Sequence, residues 1–281
     1  MLRIIVDGSA DMPEGWAEAF QLNILPMPIQ IGNRTYYQGE DLTPDLFYRL
    51  IKNEDSHPQS AAPSPTKIKE FIEQVSEIGD TVLSLNVSGK MSSTVSMVQH
   101  AANELKEKFT VIAFDSRAGS AALAFLAREA RLRAKAGETI EEILKRLSDL
   151  REKLMIVLTV DSLDFAYRSG RVGALKVALS SLLKIKPIIT LKEGLLNLSG
   201  MVRSRQKSLE HLVLEIKDKF KTAAIKVAIV HAQDLQTAEV LKGMVEKALN
   251  CTEVIMTDLS ISVAANLGPK TVGIVALPEK I

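Results

Sequence analysis

Cysteine is almost missing. Cys251 is the only one in 281 residues, which excludes an intrachain disulfide and a cysteine zinc cluster. An excess of one charge is missing too. Lys plus Arg number 35 and Asp plus Glu 34, a net charge of +1. No bulk positive field exists to hold a polyanion, so no nucleic-acid partner is expected. Long apolar runs are absent. None approaches the ~18 residues that span a bilayer, and the opening Met1–Val6 run is far too short for a signal-peptide core. A soluble, cytoplasmic chain without a transmembrane segment is the expectation. The four histidines, His57, His100, His211 and His231, lie at no metal-ligand spacing, and H-E-x-x-H does not occur. No metal and no cofactor are expected.

Hydrophobic residues make up 46% and charged residues 25% of the chain, close to the globular average. The length suits two domains. Short β-rich runs alternate with helical patterns, which implies α/β architecture. Strands are expected at Leu2–Val6, Thr81–Val87, Thr110–Phe114, Met155–Val160, Lys186–Leu191, Ile225–His231, Glu253–Thr257 and Thr271–Leu277. Several are nearly all apolar, as in strands buried on both faces of a mainly parallel sheet. Gly32-Asn33 predicts a hairpin turn between Leu22–Ile31 and Arg34–Tyr37. Thr43-Pro44 and Ser64-Pro65 each place a hydroxyl at N-cap and proline at N1 of a helix. Gly137 stops an Ala-rich helix over Ser120–Ala136. The charged helix Glu138–Lys153 reads as a connector between two lobes, residues 1–153 and 154–281.

Ligands of open α/β sheets bind beyond the carboxyl ends of the strands. Those ends are polar here: Asp7-Gly8-Ser9, Ser88–Thr94, Asp115-Ser116, Asp161-Ser162 and His231. Any one Asp-Ser pair serves equally well as a helix cap. The Ser88–Thr94 loop differs, with four hydroxyls in seven residues where a cap needs one. A helix starting near Ser92 or Ser93 would complete an anion site. A P-loop is excluded, because Ser84 stands where glycine is required and Met91 where Ser or Thr is. Ser60–Pro65 reads either as a capped turn or as a second wall of that anion site. Arg171, between Gly170 and Gly173, reads as a presented guanidinium or a solvated turn residue. Arg203, Arg205 and Lys207 form a short basic stretch able to dock an acidic partner.

Taken in chain order, these loops resemble the DegV family of fatty-acid-binding proteins. Val6-Asp7-Gly8-Ser9-Ala10-Asp11-Met12-Pro13 is similar to its TDSTADLP start. Ser60–Pro65 resembles TSQPSP, and Ser88–Thr94 resembles SSxLSGT. Ser169-Gly170-Arg171-Val172 is similar to GGRI, Ile185-Lys186-Pro187-Ile188 to IKPI, and Val202-Arg203-Ser204-Arg205 to VRTR. Ala265–Lys270 stands in the place of THxGPG. The resemblance implies two α/β domains with a ligand cleft or tunnel between them. It implies one buried long-chain fatty acid, such as palmitate or oleate, as the ligand. The carboxylate-holding positions of the family carry Ser60, Ser92 and Asn266 here, and Ser93 stands beside them where the family has glycine. Arg171 and Arg203 would lie at the entrance or dock a partner. In some members such residues help present the lipid to a separate fatty-acid kinase, which implies a monomeric carrier and not a catalyst. Leu123, Phe125, Leu126, Leu163, Phe165, Leu179, Leu182 and Ile189 are candidates to line the tail.

This chain departs from the family pattern. Asn266 replaces a titratable histidine, Ala61 and Ala62 replace polar residues, and Lys270 replaces glycine. One alternative remains open at this level: a serine-dependent hydrolase or phosphotransferase with Ser92 or Ser93 as nucleophile and His231 as the only candidate base.

Overall fold

Ile4, Ile5 and Val6 are all buried, because β1 (Leu2–Asp7) is an inner strand covered on both faces. It pairs in parallel with β2 (Leu22–Leu25) and with β6 (Thr81–Asn86), which pairs in parallel with β7 (Thr110–Asp115). The computed structural model describes residues 1–53, 57–173 and 185–280. Alternate residues of β1 serve opposite cores. Ile5 packs with Ile68 and Ile72 of α3 (Pro65–Val75) and Val98 of α4 (Thr94–Leu105). Ile4 and Val6 face Leu123 and Leu126 of α5 (Ala121–Lys135). The hairpin forms as expected: β3 (Pro28–Ile31) pairs with β4 (Arg34–Tyr37). Pro26 and Met27 separate β2 from β3, which belongs to a small second sheet. The other edge of β3 takes β5 (Gln59–Ser60), a strand the composition did not announce.

The helix signals hold. Ser64 Oγ accepts from Lys67 N at 3.2 Å, and Thr43 Oγ1 accepts from Leu46 N at 3.3 Å at the start of α2 (Pro44–Asn53). α6 (Ile140–Lys153) opens on a Thr139/Glu142 capping box.

After α6 every strand joins another sheet, ordered β13-β12-β14-β8-β10-β11-β9. Its strands are β8 (Met155–Thr159), β9 (Val172–Gly173), β10 (Lys186–Lys192), β11 (Leu195–Val202), β12 (Ile225–His231), β13 (Cys251–Asp258) and β14 (Val272–Pro278). Here the expectation of mainly parallel pairing gives way. Only β12/β13 and β11/β9 are parallel, while β12/β14, β14/β8, β8/β10 and β10/β11 are antiparallel. Burial on both faces, the feature legible in the sequence, does not report strand direction. The tight Glu193-Gly194 turn, both residues at positive φ, fixes β10 and β11 as antiparallel neighbours.

α5 and α6 lie between the large sheets, and one core cluster joins Ile4 and Leu85 of the first to Ile156 and Val275 of the second. A bidentate pair of Arg128 on α5 with Glu253 on β13, both bonds 2.6 Å, crosses the same seam.

Candidate functional site

The carboxyl ends of β1 and β6 face a short helix, α10 (Ile261–Leu267), and the strand β5. Between them lies a cavity with about 760 Å³ of atom-free space, its open mouth included. Its floor and sides are apolar: Met27, Val87, Met91, Ile156, Leu158, Leu191, Leu196, Leu259, Val263 and Leu267. Its polar residues are Ser9, Ser60, Ser92, Ser120, Ser262, Arg171 and Asn266. The structure thus brings together Ser60, Ser92, Arg171 and Asn266 from four distant parts of the chain.

Two anticipated residues fall outside this lining. Ser93 is exposed at the N-cap of α4, where its carbonyl accepts from Ser96 Oγ at 2.7 Å. Arg203 is exposed ahead of α8 (Arg205–Phe220). The described residues among those anticipated for the tail do not line the cavity either. Leu123, Phe125, Leu126, Leu163 and Ile189 are buried in the main core, Phe165 stacks on His57 with centroids 4.8 Å apart, and Leu179 and Leu182 lie outside the described residues. Apolar composition marks burial but does not distinguish a cavity wall from solid core.

The serines differ in what holds them. Ser9 is buried; its Oγ donates to Asp7, whose other oxygen accepts from Val87 N at 2.6 Å. Ser120 Oγ donates to Asp11, which also accepts from Ser260 N at 2.7 Å. Ser262 Oγ donates to the Gly8 carbonyl at 3.2 Å. With Asp7 and Asp11 ionised, these three hydroxyls give their protons to the protein and turn lone pairs to the cavity. Ser60 and Ser92 each accept an N–H bond. Ser60 Oγ accepts from Asn266 Nδ2 at 2.8 Å, and Ser92 Oγ accepts from Thr94 N at 3.3 Å and lies 2.8 Å from Thr94 Oγ1. Arg171 is fastened by backbone carbonyls, with Nη1 on Ser169 O at 2.5 Å and Nη2 on Ser60 O at 3.2 Å.

Burial sets the electrostatics of the far wall. It pushes the Asp7 carboxyl above its usual range against the hydrogen bonds from Ser9 and Val87. It pushes Asp11 up to about 7, helped by the nearby Asp258 charge and opposed by the bonds from Ser120 and Ser260.

His231 is buried at the end of β12, with Nδ1 3.1 Å from Asp258 Oδ1, and is not a lining residue. The base required by a hydrolase reading is therefore not beside Ser92. Among the described residues no group of His, Cys, Asp and Glu is arranged to hold a metal ion, and no helix is long and apolar enough to cross a membrane. Ser9, Ser120 and Ser262 were missed as lining residues. Ser9 follows a strand and Ser120 starts a helix, which are local signals for both, whereas Ser262 reaches the site only through the docking of α10.

A family model described as "uncharacterised protein, DegV family" matches residues 1–279. A DegV domain-containing protein of Listeria innocua is 27% identical over 276 residues, 97% of either chain. Among solved structures, a DegV family protein from Thermus thermophilus described by its fatty acid binding superposes with a TM-score of 0.89. The two are 26% identical, and the match covers 99% of both chains. A DegV lipid binding protein from Thermotoga maritima gives a TM-score of 0.87 at 25% identity, covering 99% of this chain and 98% of its own.

Proposed function

The chain belongs to the DegV family, and from that premise we propose that it is a carrier that binds one long-chain fatty acid in the cavity and presents the carboxylate to a partner kinase. The observation that carries this reading is the polarity of the cavity: an apolar trough whose lining also holds the Ser60 and Ser92 hydroxyls, the Ser60 proton taken by no acceptor among the described residues, and the Arg171 cation. Burying ~14 methylenes at about 0.8 kcal/mol each supplies roughly 11 kcal/mol gross, from which association and ordering take several kcal/mol. The tail supplies affinity. The carboxylate would be costly to bury unless hydrogen-bonded, and the two hydroxyls supply charge-assisted bonds. Arg171 offsets its charge.

The division into lobes 1–153 and 154–281 belongs to the same proposal, as do Arg203 as a partner-docking residue and the absence of catalysis by the chain itself. Each is supported by position: strands 2–115 and 155–278 form separate sheets, Arg203 is exposed, and His231 does not line the cavity. Extraction of the purified protein into organic solvent, followed by mass spectrometry, tests the reading. A stoichiometric long-chain fatty acid is expected; a folded protein that yields none and takes up neither palmitate nor oleate contradicts it.

A further inference from the structure

Asn266 sits where a direct donor to the head group was expected, yet its bonding leaves it no proton to give. Its Nδ2 lies 2.6 Å from the Ser262 carbonyl oxygen and 2.8 Å from Ser60 Oγ. The carbonyl can only accept, so the amide orientation is fixed: the nitrogen, not Oδ1, must face it. Both amide protons are then committed, one to Ser262 O and one to Ser60 Oγ. Because Nδ2 cannot accept, Ser60 cannot donate to it. The Ser60 hydroxyl therefore keeps its own proton, and among the described residues no protein acceptor takes it.

Ser60 is held at its backbone as well. It is the residue of β5 paired with Ile29, and its carbonyl accepts from Arg171 Nη2 at 3.2 Å. Its hydroxyl oxygen is thus held by a strand, a guanidinium and an amide, with its proton left to give. The lone pairs that Ser9, Ser120 and Ser262 turn to the cavity cannot substitute for it while their protons go to ionised Asp7 and Asp11 and to the Gly8 carbonyl.

We infer that Asn266 is a positioning residue: it acts on the ligand head group only through Ser60, by holding that hydroxyl so that its proton points to the carboxylate. This rests on the lipid-carrier reading. It assigns the site a neutral amide that orients a donor and itself gives the head group no hydrogen bond.

A double-mutant cycle tests it. Oleate is titrated calorimetrically into the delipidated full chain, wild type, Ser60→Ala, Asn266→Ala and the double variant. Each single change is expected to weaken oleate binding by about tenfold or more, the worth of a hydrogen bond to a charged group. The double variant is expected to bind no more weakly than Ser60→Ala alone. An Asn266→Ala effect of the same factor with and without Ser60 overturns the inference, as does an Asn266→Ala chain that binds like wild type. A purely structural loss at α10 would weaken both backgrounds equally and so counts against it. If Asn266→Ala does not fold, Asn266→Asp keeps the shape and forces Ser60 to donate inward; it must then cost more with Ser60 present than in the Ser60→Ala background. Wild-type protein that ignores oleate overturns the carrier reading itself, before any variant is compared.

Discussion

Ser60 and Ser92 each accept a bond from a neighbouring N–H, while Ser9, Ser120 and Ser262 each give their proton away. Identical side chains on one cavity thereby differ in their partners. Ser92→Ala is expected to weaken oleate binding about tenfold, whereas Ser93→Ala leaves it within about twofold, since each lost bond to a carboxylate is worth about 1.5 kcal/mol or more; isothermal titration measures both. Asp11 yields a pH prediction. Its carboxyl is raised from 3.8 to about 7 by burial, so the folded state binds its proton more tightly than the unfolded chain. The stability it contributes is complete below about pH 4 and is lost as pH rises towards 7. Asp11→Asn should remove that fall from the urea-unfolding free energy measured across this window, and a variant with the wild-type slope would contradict it. Ser60, Ser92 and Arg171 were legible because they fall in segments with repeated hydroxyls or flanking glycines, whereas Asn266, on α10, became a candidate only through the family resemblance. The sequence did not make hydroxyl direction legible, because that depends on partners such as Asp11 and Gly8 that only folding brings near.

Elements are legible where a local rule creates them. Ser64-Pro65, Thr43-Pro44 and Gly32-Asn33 specify their caps and turn through neighbours in the chain, and the structure places them there. β5 and β9 are two-residue strands, which exist only because β3 and β11 offer them an edge. β11 mixes Asn197, Ser199 and Gly200 with its leucines, so no clear period marks it. The Glu193-Gly194 turn beside it carries a structural demand of its own. Gly194 has φ +81°, and a Cβ there would come within 2.6 Å of Ser88 Oγ, which donates to the Gly194 carbonyl at 2.7 Å. Gly194→Ala must strain the backbone or displace Ser88 from the loop that carries Ser92. A loss of roughly 1–3 kcal/mol in urea unfolding is expected, together with weaker oleate binding; an unchanged midpoint would contradict this tie between the turn and the loop.

At the scale of the molecule, two sheets share one interior. The strands divide at residue 153, but Ile4, Leu126, Leu147, Ile156 and Val275 belong to a single buried cluster, and Arg128–Glu253 fastens α5 to β13. A single cooperative thermal transition is expected in calorimetry, and two resolved transitions would show that the lobes hold separate cores. The α/β class was legible from alternating patterns. The mixed, mainly antiparallel pairing of the seven-stranded sheet was not, because apolar strands record burial on both faces and leave direction to the connections. The most direct test of the whole account is a crystal structure of the chain with oleate. It should place the carboxylate oxygens at about 2.5–3.0 Å from Ser60 Oγ and Ser92 Oγ, with the tail along Leu158, Leu191 and Leu196 and no bond to Asn266. A carboxylate seated against Asp7 and Asp11, or a cavity left empty at saturating oleate, would contradict it.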